Sequence, residues 1–542
     1  MTTLKELIRK YCVKNAYDYG KVSVQSVLGK LLAEKPELKS QIKEIIPLIR
    51  EEAKDVERLN KDQLAAELKS YDFTVKRREE PVITQPVVVR FAPEPAGRLH
   101  IGHAKALFLN DALRQKHGGK LILRFDDTNP QKVSADYVKF IEEDIKWLGV
   151  EVDEVSFTSD FIPQMYEVVE EMLREGSAYV CTCSPDTIKR NRELKKECEC
   201  RKRDVNENLA LFQQLKSGDL QAVVRLKADM KSENTAMRDP TLFRLNFNTH
   251  FRQGNKYVLW PTYDFAVVFM DYREGITHVL RSKEYELRNA VYDLLCKAMH
   301  IKTPNLITFS RLKMRGQVVG KRYIQPLIEQ GKVDGWCDLR LVTLCALRER
   351  GIPPQAIKDY VLSFGWSLSD NEGDWEKFAR FVRQRLSHAP HFFAVEEPVM
   401  FRLDNEHEIV VDVSAKSNIE RVLKVKPRAT VYLSKNDVAL LKDGEMFRLK
   451  DLVSVVKEGN TLHVVDEFSP KMKKVNWVSQ GKEVSFVYVK PLFVDGRFNV
   501  NSKEYKPALV EQLVFEKKVD VVQFERLGFY KRLDDKHFVF IA

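Results

Sequence analysis

The chain has 542 residues, 44% hydrophobic and 31% charged, with 23 glycines and 21 prolines. At about 150 residues per domain this suggests roughly three to four domains and excludes a peptide module, a collagen-like repeat and a mostly disordered chain. Lysine plus arginine (89) exceeds aspartate plus glutamate (78) by 11, which favours a polyanionic partner, nucleic acid first, although a large protein also carries such an excess as plain solvated surface. No run of 18 apolar residues occurs, and Met1 to Lys10 has no apolar signal core, so a cytoplasmic protein without membrane contact is expected.

Residues 2 to 70 are predicted as helices, with apolar residues recurring at three and four (LKELIRKYCVKNA, then VQSVLGKLLAEKPELKSQIKEIIPLIREEAKDVERL). The charged stretch VKRREEPVITQP separates this extension, residues 1–80, from a β-rich run beginning at Val87. Then VVVRFA, HAKALFLNDALRQKH, GKLILRF and ADYVKFIEEDIKWLG alternate strand with helix, the pattern of a parallel sheet with right-handed crossovers. The alternation resumes with YDFAVVFMD, THVLR, a helix around Tyr285 to Met299, and the strand LITFS. The predicted class is therefore α/β: one Rossmann-type sheet in two halves, residues 81–180 and 259–325, around an inserted domain at 181–258. Helical, basic segments follow over 326–392. Short punctuated runs such as RATVYLS and VSFVYVK predict β-barrels over 393–542.

The segment Arg90-Phe-Ala-Pro-Glu94-Pro-Ala-Gly97-Arg-Leu-His100-Ile-Gly102-His103 runs from a strand into a helix. Gly97 is expected to permit a tight turn and Gly102 to let a flat ring approach the backbone. His100 and His103 share one face if they start the helix, where the helix N-terminus favours phosphate and imidazoles can donate to its oxygens. Two histidines at this spacing are, on their own, as often packing as catalysis. Cys181, Cys183, Cys198 and Cys200 form two C-x-C pairs that can complete a tetrahedral S₄ shell, with structural zinc as the expected occupant and reduced, metal-free thiols as the alternative. Cys12, Cys296, Cys337 and Cys345 lack such spacing and are expected to be packed thiols.

The P-E-P-x-G-x-x-H-I-G-H context resembles the class I aminoacyl-tRNA synthetases, specifically the glutamyl/glutaminyl subgroup. The resemblance extends through LRFDDTNP, PTYDFA, EGITHVLR, FSRLK and VNWVSQGK. A helical extension before this body and β-barrels after it are similar to the archaeal glutamyl type. The resemblance implies attack of an amino acid's carboxylate on the α-phosphate of ATP, then aminoacyl transfer to the 3′ adenosine of tRNA. No nucleophilic side chain is needed, and positioning and charge stabilisation carry the chemistry. ATP, carried with Mg²⁺, would be contacted by Glu94, His100, Gly102, His103, Lys321 and Arg322, with His100, His103 and Lys321 as the catalytic set. Lys321 belongs to Val318-Val319-Gly320-Lys321-Arg322, where the family's lysine loop usually has serine in place of Gly320. That departure loses a hydroxyl and keeps or increases loop mobility, and it opens a second reading, a catalytically silent relative that only binds tRNA.

Arg90, Asp126, Tyr263 and Arg281 match the family's amino-acid pocket. Asp126 would pair an α-ammonium and the two arginines would hold carboxylate oxygens. The bland alternatives are a loop-capping role for Asp126 and a strand-end arginine facing solvent or bridging the sheet for Arg281. Arg281 implies L-glutamate over glutamine, because the glutaminyl members carry an uncharged residue there. The resemblance also assigns acceptor-end binding to the insertion and anticodon reading to the barrels, with Trp477 in a family motif. The turn Trp336-Cys337-Asp338-Leu339-Arg340 lacks the family's proline and is expected to be loosened. A truncated relative that attaches glutamate to a tRNA base is discouraged by the long β-rich C-terminal part. The expected partners are tRNA(Glu), L-glutamate and ATP, with tRNA(Gln) left open and a monomer expected.

Overall fold

The structure is a computed structural model that describes residues 4–35, 38, 41–68, 70–71, 86–366 and 371–542. It falls into two compact units, Met1–Val82 and Ile83–Ala542. The linker predicted at VKRREEPVITQP lies, except for Pro86, outside the described residues.

In the first unit α1 (Leu4–Tyr19), α2 (Val24–Glu34), α3 (Ile42–Val56) and α4 (Lys61–Leu68) share one core. Ile8, Cys12 and Ala16 recur every four residues and so stack on one face of α1 against Ile45 and Ile49 of the same core. Ser23 starts α2 by accepting the Ser26 N–H. Arg9 ties α1 to Glu52 of α3 and Glu67 of α4, at 2.7 and 2.6 Å.

The second unit begins with β1 (Val87–Phe91), α5 (Ile101–His117), β2 (Gly119–Phe125), α6 (Ala135–Trp147) and β3 (Glu154–Phe157), with β1, β2 and β3 paired in parallel. Along β2, Leu121, Leu123 and Phe125 enter one apolar core while Ile122 enters the other. Both faces of the sheet are thus covered, as a parallel sheet requires. After α7 (Ile162–Arg174) come β4 (Ala178–Cys181), α8 (Pro185–Glu193), α9 (Val205–Ser217), β5 (Val223–Leu226), β6 (Thr241–Leu245) and β7 (Leu259–Pro261). These four strands form a separate antiparallel sheet, so the interruption of the parallel pattern is a domain with its own hydrogen-bond ladder.

YDFAVVFMD is a helix, α10 (Tyr263–Arg273), in which every residue from Phe265 to Asp271 is buried. A helix hidden on all sides carries no periodicity that sequence can show. The parallel pattern returns with β8 (His278–Ser282), α11 (Asn289–Ala298) and β9 (Asn305–Phe309), β8 and β9 being paired. Thr277 N–H donates to the Val88 carbonyl and Arg90 donates to the Leu280 carbonyl. The second of these comes from the arginine side chain, so the contacts place β8 next to β1, while the hydrogen-bond ladders keep β8–β9 and β1–β2–β3 as two parallel sheets.

Beyond β10 (Leu312–Met314), the chain is helical through α12 (Lys321–Glu329), α13 (Leu344–Glu349), α14 (Pro354–Leu362) and α15 (Trp375–Leu386). The C-terminal part holds two seven-stranded sheets. One has edge strands His391–Phe392 and Ala394–Glu396, separated only by Phe393; the other has edges Lys474–Val475 and Trp477–Val478, separated only by Asn476. In each case one continuous segment holds both edges, so the sheet curls to near closure and leaves little free edge.

Candidate active site

The loop after β1 delivers His100 to the N-cap of α5 in an extended conformation. Its Nδ1 accepts the Gly102 N–H at 3.1 Å, and His103 Nδ1 accepts the His100 N–H at 3.3 Å, a capping box built from two imidazoles. The rings stack at 3.8 Å. Because both Nδ1 atoms accept, each neutral ring carries its proton on Nε2, where it can serve as a donor. Burial holds His100 well below the ordinary histidine pKa and His103 at about 4, so both stay neutral at neutral pH.

Both glycines act through close packing. A Cβ on Gly102 would lie 2.9 Å from the His100 ring, so the flat ring that needs the missing side chain is the protein's own. Gly97 does not use a left-handed turn; a Cβ there would touch Trp336 at 3.4 Å and Lys321 Cβ at 3.7 Å. The histidine loop, the lysine loop and the Trp336 turn therefore meet at Gly97.

Lys321 opens α12 behind Gly320, which has φ +87° and ψ 149°. That backbone region suits glycine almost alone, so the absent serine is explained by conformation. Lys321 Nζ lies 5.2 Å over the Tyr137 ring and the residue lines a cavity of about 480 Å³ with Glu94, His100, Gly102 and His103. Arg322 does not join them; it is exposed, with its guanidinium 4.6 Å from the Tyr323 ring.

Arg90, Asp126, Tyr263 and Arg281 line the same cavity. Arg281 is 4% exposed, which removes the solvent-facing alternative. Its Nη1 donates to Asn289 Oδ1 at 2.9 Å, and its guanidinium lies 5.3 to 5.9 Å from the rings of Tyr285, Tyr292 and Tyr263. It has no carboxylate partner among the described residues, and its Nε is buried without a hydrogen bond. Arg90 differs: its Nε donates to Asp271 at 2.9 Å. Burial opposes charge on Asp271, but Arg90 and Arg124 outweigh it and hold that carboxyl below the usual range. Asp126 is held by Thr158 Oγ1 and Arg124 Nε at 3.1 and 3.3 Å. Sequence reasoning missed Asp271, Arg124, Asn289 and Tyr285. The available signal was a charged residue inside each of two otherwise apolar runs, LRF and VVFMD. A second cavity of about 500 Å³ shares Glu94, Asp126 and Tyr263 and is lined by Arg192 and Arg244 of the insertion together with Lys132 and Arg288 from either side of it in the chain.

The sulfurs of Cys181, Cys183, Cys198 and Cys200 lie within 4.8 Å of one another, two pairs at 3.8 Å. Zinc bonded to sulfur at about 2.3 Å in a tetrahedron requires sulfurs about 3.8 Å apart, so the quartet has the dimensions of an S₄ site. The second pair sits at the mouth of a 3₁₀ turn rather than on an extended segment. Neighbouring Arg201 and Arg203 are committed to Glu197, Asp239 and Glu207.

Two further expectations are corrected. Cys337 and Cys345 are joined in a disulfide, whereas Cys12 and Cys296 are buried free thiols. The Trp336–Arg340 turn is not loose: Asp338 accepts the Arg340 N–H and guanidinium at 2.9 and 2.6 Å, and Arg340 also reaches the Lys332 carbonyl. Trp477 is 3% exposed and donates to the Lys450 carbonyl, so it is a barrel core residue with no face open for a base. No helix among the described residues is long and apolar enough to cross a membrane.

Residues 86–388 match the catalytic domain of the class I tRNA synthetases (E and Q), and residues 389–467 match the anti-codon binding domain of the same group. The chain is 35% identical to the glutamate--tRNA ligase of Nitrosopumilus maritimus, over 99% of both chains. It is 33% identical to that of Thermococcus kodakarensis, over 99% of this chain and 98% of the relative, and 34% identical to that of Methanocaldococcus jannaschii, over 98% of each. With the histidine loop, the lysine loop and the charged pocket gathered on one cavity, the chain belongs to the class I tRNA synthetases of the E and Q group.

Proposed function

We propose that this chain joins L-glutamate to tRNA(Glu) at the expense of ATP. The observation that carries the choice of amino acid is Arg281: a guanidinium buried in the cavity with no carboxylate partner among the described residues calls for an anionic ligand, and a γ-carboxylate supplies one. A glutamine amide would leave the charge uncompensated. The full-length similarity to glutamate--tRNA ligases supports the same reading.

Asp126 holds the ammonium group, and Tyr263 offers its hydroxyl. The neutral Nε2–H groups of His100 and His103, and the N-terminus of α5, receive the triphosphate, whose Mg²⁺ arrives as part of the substrate. The α-carboxylate attacks the α-phosphorus, pyrophosphate leaves, and Lys321 follows the charge that grows on the leaving group. The terminal hydroxyl of tRNA then attacks the acyl carbon and AMP leaves. The cavity lined by Lys132, Arg192, Arg244 and Arg288 gives the acceptor end a basic approach to Asp126 and Tyr263. Glu94 lies at the border of both cavities. Arg322, resting on Tyr323, takes no part in this arrangement. Cys181, Cys183, Cys198 and Cys200 would hold a zinc ion that braces the insertion and leaves no open coordination position. The protein acts as a cytoplasmic monomer on this reading.

The test is aminoacylation of separated tRNA(Glu) and tRNA(Gln), each with labelled glutamate and labelled glutamine and with ATP–Mg²⁺. Glutamate joined to tRNA(Glu) is expected, and the tRNA(Gln) arm decides whether that tRNA is also glutamylated. Incorporation of neither amino acid, with tRNA binding retained, would favour a silent tRNA-binding relative instead.

A further inference from the structure

We propose that Arg124 and Asp271 are positioning residues that set the distance between the two grips on the amino acid, Asp126 at its ammonium and Arg90 at the γ-carboxylate that it shares with Arg281. The inference rests on the glutamate reading of the cavity. Neither residue lines the cavity, and they are 0% and 1% exposed. Each nevertheless touches a residue that does.

Asp271, near the end of α10, receives Arg90 Nε and Arg124 Nη1 on one oxygen, both at 2.9 Å, and the Tyr292 hydroxyl on the other at 3.0 Å. Arg90 Nη2 turns toward the same carboxylate at 3.5 Å, and its Nη1 donates to the Leu280 carbonyl at 3.3 Å. Of the five N–H groups of Arg90, three are thus directed into the protein. One remains on each terminal nitrogen, the paired donors that fit a carboxylate. Arg124, on β2, extends the chain in the other direction: its Nε meets Asp126 Oδ1, the oxygen that also accepts from Thr158, so Oδ2 is left for the ligand. Glu274 accepts the Arg124 Nη1 at 2.8 Å and is itself held by the Ser156 hydroxyl.

Asp126, Arg124, Asp271 and Arg90 therefore form three consecutive direct contacts linking β2, α10 and β1. Rigid planar groups in series fix the separation of the outer two, and that separation selects the length of the substrate between them. Buried charges of this kind contribute little net stability compared with apolar side chains of the same size, so their use lies in geometry.

The full chain would be compared with Asp271→Asn and Tyr292→Phe in glutamylation of tRNA(Glu). Glutamate, ATP and tRNA would be varied separately, L-aspartate would be used as a competitor one methylene shorter, and melting temperatures would be recorded. A lost charge-assisted hydrogen bond is a factor of about ten or more. Asp271→Asn is expected to raise the KM for glutamate about tenfold, while the KM values for ATP and tRNA and the inhibition constant for aspartate change less than about threefold. Tyr292→Phe removes a single hydroxyl, so it reports even if Asp271→Asn does not fold, and about a threefold rise in the glutamate KM alone is expected. Unchanged glutamate KM in the folded variants, or equal rises for glutamate and ATP, would overturn the assignment and leave a merely structural role. Failure of the unmodified chain to ligate glutamate would overturn the functional reading itself.

Discussion

Arg90 and Arg281 sit at the C-terminal ends of neighbouring strands, line one cavity and are equally hidden from water, at 5% and 4% exposure. Arg90 is answered by the Asp271 carboxylate; Arg281, among the described residues, meets the Asn289 amide and Tyr263, Tyr285 and Tyr292 but no carboxylate. An unpaired buried charge is costly, and a fold keeps one where function requires it. The contrast separates a residue anchored by the protein from one completed by its ligand, which residue type and strand position do not do. It also orders the consequences of substitution.

The largest expected effect is on catalysis. Arg281→Ala should lower kcat/KM for glutamate about 10³-fold, or about 4 kcal/mol, with tRNA affinity within twofold of the unmodified chain. Equal losses in both would make Arg281 a structural residue. Stability should then separate the two arginines in the opposite direction. Asp271→Ala leaves Arg90 without its carboxylate partner and takes one of three from Arg124, and is expected to cost about 3 kcal/mol in urea unfolding, whereas Arg281→Met removes an uncompensated charge and should leave stability unchanged or raised. Comparable destabilisation by both would erase the distinction.

The cysteine quartet extends the comparison: Arg225 reaches Cys181 Sγ at 4.0 Å, and a zinc ion would complete the four sulfurs. Metal analysis should find about one zinc per chain, lost in Cys198→Ser, while the glutamate KM moves less than about threefold because the quartet lies apart from the cavity. Absence of zinc from the unmodified protein would return the four to reduced thiols. The histidine pair gives a smaller, pH-dependent effect. The folded-state pKa of His103, about 4, lies below the unfolded value near 6.5. Its contribution to stability is therefore full above pH 6.5 and is lost as pH falls toward 4, where the unfolded chain binds a proton that the folded chain refuses. Melting temperature should decline over that range less steeply in His103→Asn, and the rate of glutamylation should show no histidine step between pH 6.5 and 8.

Much of this arrangement was legible in the sequence because its signals are local. The strands and helices from Val87 to Trp147 declare themselves by period, and the histidine loop by its unusual residues. What was not legible depends on tertiary contact. The helix Tyr263–Arg273 is buried on every side from Phe265 to Asp271 and shows no apolar stripe there. Cys337 and Cys345 are eight residues apart, a spacing that signals neither a metal nor a bond until the turn folds back on α13. Arg322 was assigned by its place in the family's lysine loop, but neighbours on the first turn of a helix point in different directions, and Arg322 is exposed. Asp271 and Arg124 are single charges in apolar runs, and nothing in either run says that they meet.

Gly320 offers the smallest effect and the closest test of how such a departure should be read. A Cβ at this position would meet nothing within 4 Å, so space does not exclude a side chain. The constraint is the backbone, at φ +87° and ψ 149°, which costs a non-glycine residue about 1 to 3 kcal/mol. Gly320→Ser, which restores the residue usual in the family, is therefore expected to lower stability by about 1 kcal/mol. It should slow glutamylation severalfold through displacement of Lys321, with KM for glutamate unchanged. If serine instead accelerates the reaction with no loss of stability, the loop is free to leave this conformation, and the missing hydroxyl rather than the backbone sets the behaviour of the lysine loop.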